Sequence, residues 1–430
     1  MAVHYVPAGA EIYAERRVQI LVSNKPNNKE ASHHGKLYKK WLTLDKTVSV
    51  VATSNRAGVC CPMPADVVVP ILNPTFIQTC GLTKVLANPI HGVFDKAAFE
   101  HLGIESIVDS GGFQMLRGTV DFVDPDNLIK LYKKDANIGM PLDLPVPSAA
   151  EPFFFDAVSK MIRANDRYME PKLKGIDLAL ISHGSTLARR KARLDVLDRD
   201  DAKVIAIAGL NIKPEPGTDH LMAFCENLMY VIHRFHKTAR YFHVLGVTSK
   251  FWLFIYALLD ASGYVKNIGA DSVSHRLGSL TGMYDTQDFN SVYLPKDRKF
   301  KQPLPCSCPV CFALDDMRLM QYYVLLEAHN LWTRAHWVKL LSEMAKRYVA
   351  GQLPLKEVHE VLRLRMSIND LTLIIKYIES IIETDKFKPI RVQGKSRSLF
   401  ATQTPKKSPK HDLYIKILQS YEKFHGIKLL

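Results

Sequence analysis

Two groups of residues in this 430-residue chain combine side-chain type and spacing in ways that do chemistry. The first is Cys306-x-Cys308-x-x-Cys311. Two thiolates one residue apart and a third three positions on can wrap a single ion. Zn²⁺ with sulfur ligands at about 2.3 Å then needs a fourth group to complete a tetrahedron. Downstream, His329 and His336 are both available. An unbroken helix from Cys311 to His329 would hold them about 27 Å apart at 1.5 Å per residue, so the chain has to fold back between them. No Gly or Pro lies in that stretch to force the turn. A site of four protein ligands is structural, because it leaves no open position for catalysis.

The second group is Asp109-Ser110-Gly111-Gly112-Phe113-Gln114, directly after the apolar run Ser106–Val108. Paired glycines let the backbone approach a planar ligand, and a carboxylate beside them can serve as acid, base or nucleophile. Taken alone, the same residues also suit a turn with a capping Asp. Similar polar clusters follow other apolar runs: Ser182-His183-Gly184, Gly209-Leu210-Asn211, Gly246-Val247-Thr248 and Asp271-Ser272. Singly, Asp143 suits a helix cap, His183 a satisfied core histidine and Asp271 a turn former.

The elements that must position these residues are strands alternating with helices. The runs Val48–Thr53, Val67–Leu72, Ser106–Val108, Asp177–Ser182, Lys203–Ala208, Phe242–Leu245 and Asn267–Ala270 read as strands, with helical segments between them. That rhythm predicts a parallel α/β fold. In a (β/α)8 TIM barrel the polar clusters at the C-terminal strand ends converge on one site. A doubly wound sheet is the rival, but no Gly-x-Gly-x-x-Gly follows an early strand.

Around the barrel, expected over residues 46–300, the sequence predicts three further parts. Residues 1–45 form an N-terminal segment with a basic loop, Lys25 to Lys40. A zinc-binding subdomain covers 301–350. A helical, basic C-terminal extension covers 351–430. Apolar spacing makes Phe312–Thr384 largely helical, Gln393–His411 reads as a linker, and Leu413–Phe424 as a short terminal helix.

Hydrophobic residues make up 47% and charged residues 23%, the balance of a soluble globular protein. No apolar run reaches the roughly 20 residues of a membrane span, and the N-terminus lacks the apolar stretch of a signal peptide, so a cytoplasmic location is expected. Cys60, Cys61, Cys80 and Cys225 show no ligand spacing and read as reduced thiols. The net charge is +14, and the stretch from Lys386 onward contributes a net +9 of it. Such a tail suits a polyanionic partner through counterion release. No redox cofactor or nucleoside triphosphate is implied.

Asp-Ser-Gly-Gly-Phe-Gln followed by Cys-x-Cys-x-x-Cys and His329-Asn330-Leu331 resembles the tRNA-guanine transglycosylase superfamily. The closest likeness is to its DNA-modifying DpdA branch, which inserts 7-deazaguanines. The resemblance spans about Val67 to Lys346 and implies a (β/α)8 barrel with a structural zinc. It also implies that Asp109 does acid–base work and that Asp143 reads the guanine edge. Gly209 and Leu210 match a Gly-Gly-Leu that contacts the base, beside Ser110, Gly111, Gly112, Phe113 and Gln114. His329 is preferred over His336 as fourth metal ligand, through the matching His-Asn-Leu.

Two positions depart from the tRNA enzymes. Their nucleophile falls where this chain has Ser274, so the role passes to Asp271, a short shift away. His183-Gly184 replaces their Gln-Gly, so an imidazole would meet guanine O6. These departures and the compact zinc region favour DNA over tRNA as the substrate, with a 7-deazaguanine base as the small-molecule substrate. A non-catalytic partner subunit is the alternative, against which stand Asp109, Asp143 and Asp271.

Overall fold

The computed structural model of the chain describes residues 3–7, 74–87, 96–112, 115, 122–144, 151–184, 186–210, 220–272, 274–294, 306–312, 323–390 and 411–430. The expected strands Val48–Thr53 and Val67–Leu72, the loop Lys25 to Lys40, Cys60, Cys61, Phe113 and Gln114 lie outside them.

Nine of the described strands form two parallel sheets. One holds β2 (Lys84–Ala87), β3 (Glu105–Val108), β4 (Ile138–Gly139) and β5 (Asp177–Leu178), in that order. The other runs β1 (Val3–Pro7), β9 (Ile268–Ser272), β8 (Tyr241–Val244), β7 (Val204–Ile207) and β6 (Leu180–Ser182). Ala179 alone separates β5 from β6, so one stretch of chain is the edge of both sheets. At the opposite edges, Thr83 Oγ1 and His4 Nδ1 share a hydrogen bond of 3.0 Å. No ladder joins β1 to β2 among the described residues, and the sheets stay unclosed.

Strands buried on both faces read as continuous apolar runs in a parallel sheet, and β7 and β8 do so along their whole length. The strand period of two sends alternate residues to two different cores. Ile205 and Ile207 pack outward against the helices, while Val204 and Ala206 face an inner cluster. Val6, Leu86, Ile107, Ile138 and Tyr241 join that inner cluster, so strands of both sheets feed one apolar centre. At the N-terminal strand ends, Arg240 spans Asp177 at 2.6 Å and Glu105 at 2.9 Å, and Glu105 also meets Lys84.

Val3–Pro7 was expected to stand outside the barrel, within 1–45. It pairs instead in parallel register with β9, Val6 opposite Asp271. Five residues carry too little pattern to separate such a strand from its surroundings. The same brevity hid β2 and the two-residue β4.

After the short α1 (Pro74–Thr79) and α2 (Lys96–His101), the helices begin where capping chemistry allows. In α3 (Pro125–Asp135), Asp124 accepts the Asn127 N–H at 2.8 Å and Pro125 occupies the first turn, where it loses no hydrogen bond. In α5 (Leu187–Leu197), Thr186 accepts from Arg189. Between these lies α4 (Glu151–Met169), and α6 (His220–Phe235) and α7 (Lys250–Ala261) follow. After α8 (Ser274–Leu280) and α9 (Pro309–Phe312), the expected helical region Phe312–Thr384 contains α10 (Tyr323–Val349), α11 (Leu355–Val361) and α12 (Ile368–Thr384). The terminal helix α13 (His411–His425) packs on α4, with Phe154 and Tyr414 stacked at 5.0 Å. No described helix is long and apolar enough to cross a membrane. Cys80 and Cys225 are buried and unbridged.

Candidate active site and metal centre

Parallel strands bring their C-terminal ends to the same side, and the sequence-predicted carboxylates sit there. Asp109 follows β3, Asp143 follows β4, His183 follows β6, Gly209 and Leu210 follow β7, and Asp271 lies near the end of β9. The loops after β3 and β4 touch. Ser110 Oγ donates to the Pro141 carbonyl at 3.3 Å, and a Cβ on Gly112 would overlap the Asp143 carbonyl oxygen. Gly111 adopts φ +78°, a conformation that favours glycine. Burial and the charges of Asp271 and Asp143 push the Asp109 carboxyl up to about 6, against the pull of the Ser110 and Gly111 amides.

Asp271 is fixed from one side. Its Oδ1 accepts the Gly246 N–H at 2.9 Å and faces His243 Nε2 at 3.2 Å. His243 Nδ1 in turn lies 2.9 Å from the Tyr241 hydroxyl. One tautomer satisfies both contacts: Tyr241 donates to Nδ1, and Nε2–H donates to the carboxylate. Burial holds the Tyr241 phenol well above its ordinary range, which keeps it a donor. Strand register makes the relay possible. His243 sits opposite Gly269, and a Cβ on Gly269 would overlap the Tyr241 hydroxyl. Both contacts fall on Oδ1; among the described residues Asp271 Oδ2 accepts no hydrogen bond.

His183 is buried, and among the described residues neither ring nitrogen has a hydrogen-bond partner. Burial and the charges of Arg193 and Arg190 hold its pKa well below the usual imidazole range, so the ring is neutral. Two buried, unsatisfied nitrogens cost about 1–3 kcal/mol each, a cost that a bound polar ligand removes. Gly209 lies against this ring: a Cβ there would come 2.9 Å from His183 Nε2.

Two arginines of α5 carry the walls of the site, and the sequence reading missed both. Arg190 uses all five donors, on Asn227 Oδ1, the Ser182 oxygens and the Gly184 and Ala208 carbonyls, at 2.6–3.1 Å. It thereby locks the ends of β6 and β7. Arg193 Nη1 lies 3.9 Å from Asp143 Oδ1 and its Nε donates to Ser159. Also missed were Tyr241 and His243. The available signals were Arg190 and Arg193 on one helical face and a histidine at an inward position of an apolar strand.

The three cysteines gather with His329, their ligand atoms within 4.8 Å of one another. His329 Nδ1 lies 3.6, 3.3 and 3.3 Å from the sulfurs of Cys306, Cys308 and Cys311. Edges of about 3.5 Å are what a tetrahedron with Zn–S and Zn–N bonds of about 2.3 and 2.0 Å requires. The four residues fit a metal ion such as zinc. Nε2–H of His329 donates to the Asp285 carbonyl at 2.8 Å, which presents Nδ1 to the sulfurs. Asp285 belongs to the hairpin of β10 (Met283–Asp285) and β11 (Ser291–Tyr293). His336 lies elsewhere, stacked on Trp332.

A polar chain links this centre to the Asp271 segment. The Asp285 carboxylate accepts Arg334 Nε at 2.6 Å, Arg334 Nη1 donates to Ser274 Oγ, and Ser274 Oγ bonds Ser272 Oγ. Ser274 is therefore engaged as a structural hydroxyl.

Comparison with protein-family models and with curated proteins gives no match for this chain.

Proposed function

We propose that this protein is a guanine transglycosylase that exchanges a guanine in DNA for a 7-deazaguanine of the 7-cyano-7-deazaguanine type. The observation that carries the proposal is that Asp271, held by His243 and Gly246, and an Asp109 carboxyl raised to about 6 both stand at C-terminal strand ends, close enough for the charge of Asp271 to act on Asp109. On this reading the two sheets are the two halves of a (β/α)8 barrel, with β5 and β6 forming one stave. Support comes from the apolar centre shared by both sheets and the Thr83–His4 hydrogen bond across the open edge.

The target guanine is extruded from the stack, since its glycosidic carbon is out of reach within a helix. Asp271 Oδ2 attacks C1′ while the C1′–N9 bond breaks, its electron pair leaving with the base. Asp109 gives its proton to the departing guanine. The incoming base returns a proton to Asp109, bonds to C1′ through its nitrogen and expels the Asp271 carboxylate. A group near 6 populates both protonation states near neutrality, as this acid-then-base role needs. Displacement in two steps by a carboxylate is the logic of retaining glycosidases. Neutral His183 and Asp143 bind the base edge, and Cys306, Cys308, Cys311 and His329 would hold a zinc ion that braces their region structurally.

Incubation with labelled 7-cyano-7-deazaguanine and either duplex DNA or tRNA tests the proposal. Incorporation into DNA is expected. Incorporation into tRNA alone overturns the choice of polymer, and exchange with neither leaves a non-catalytic subunit as the better account.

A further inference from the structure

We propose that His233, His236 and Asp385 form a second metal site, for a divalent cation of the zinc class. It would staple the helical extension to the face opposite the candidate active site. His233 lies in the last turn of α6, His236 just beyond it, and Asp385 caps α12. The chain enters β8 five residues after His236, so the cluster sits at the N-terminal strand ends, away from Asp271.

The donor atoms converge. Asp385 Oδ1 lies 3.1 Å from His236 Nε2 and 3.7 Å from His233 Nδ1, and the three ligand atoms are mutually within 4.8 Å. Ligands bound at about 2.0–2.2 Å in tetrahedral or octahedral angles stand roughly 3–3.5 Å apart, close to these spacings. The tautomers are suitable. His236 Nδ1 lies 2.7 Å from the His233 carbonyl oxygen and therefore carries the proton, which leaves the Nε2 lone pair toward Asp385.

The surroundings hold the arrangement in place. Lys237 Nζ binds the other Asp385 oxygen at 2.5 Å, fixing the carboxylate with Oδ1 turned to the imidazoles. Tyr264 stacks on His236 at 4.4 Å, and its hydroxyl reaches His233 Nδ1 at 2.8 Å, the place of a fourth donor. Imidazole with one carboxylate suits zinc and its neighbours better than calcium or magnesium.

Metal titration of the full-length protein tests this, with Co²⁺ and then Zn²⁺ as probes after mild chelation. Wild type should bind two equivalents, only one of them giving thiolate-to-cobalt bands. Asp385→Asn and His236→Gln should each bind one, with those bands unchanged. Asn tolerates the left-handed φ of +46° at position 385, so that variant is expected to keep the fold, as circular dichroism would check. A single equivalent in wild type with the thiolate site filled, or two equivalents in both variants, would overturn the proposal.

Discussion

His243 Nε2 stands 3.2 Å from Asp271 Oδ1, the same oxygen that accepts the Gly246 amide. Both contacts stabilise and aim the carboxylate without occupying its other oxygen. His243→Ala should therefore slow adduct formation roughly 100-fold, the scale of losing one preorganised donor. His243→Gln, which can still donate, should recover part of the rate. Equal rates for all three proteins in single-turnover assays would remove His243 from the mechanism.

Asp109 offers a prediction of opposite sign for stability and activity. Its carboxyl is raised from the ordinary 3.8 to about 6, so the fold disfavours its ionised form. The resulting penalty is absent below about pH 4, grows as pH rises, and is complete above about pH 6. At about 1.4 kcal/mol per pH unit it amounts to at most about 3 kcal/mol. Asp109→Asn should stabilise the protein at pH 7.5 and change little at pH 4, while abolishing exchange. Denaturant melts at both pH values check the sign; destabilisation at pH 7.5 would contradict it.

Arg190 was invisible in the sequence as a functional residue, yet all five of its donors are engaged within the wall of the site. Lysine has three donors and no planar fork. Arg190→Lys should cost at least about 2 kcal/mol by leaving buried carbonyls unpaired. Unchanged thermal unfolding would show that the ends of β6 and β7 hold without it.

The legible parts of the molecule are those with repeating or chemically unusual residues. Runs such as Val204–Ile207 announced buried parallel strands, and the three cysteines announced a metal centre. Its fourth ligand needed a chain reversal that no Gly or Pro marked; the His-Asn-Leu match favoured His329 over His336, and the gathered geometry places His329 with the cysteines. Val3–Pro7 and Ile138–Gly139 escaped because strands this short have no period to detect. Tyr241 and His243 escaped because their role depends on register with Gly269 and Asp271, a relation between distant segments. Arg190 and Arg193 escaped because nothing in their local sequence marks a helical arginine as buried.

The metal centre and the Asp271 segment should prove separable through Arg334. Cys308→Ser should lose zinc and lower the melting temperature by several degrees. Arg334→Met should keep zinc, measured by metal analysis, yet slow adduct formation by releasing Ser274 from Asp285. Normal kinetics in Arg334→Met would confine the metal to a purely local role.

The most direct measurement is mass-spectrometric mapping of the denaturation-resistant adduct formed on guanine-containing duplex DNA. An abasic deoxyribose ester on Asp271, absent from Asp271→Asn and still formed by Ser274→Ala, is the expected result. An adduct on any other residue, or one that survives Asp271→Asn, would contradict the central claim that Asp271 is the nucleophile.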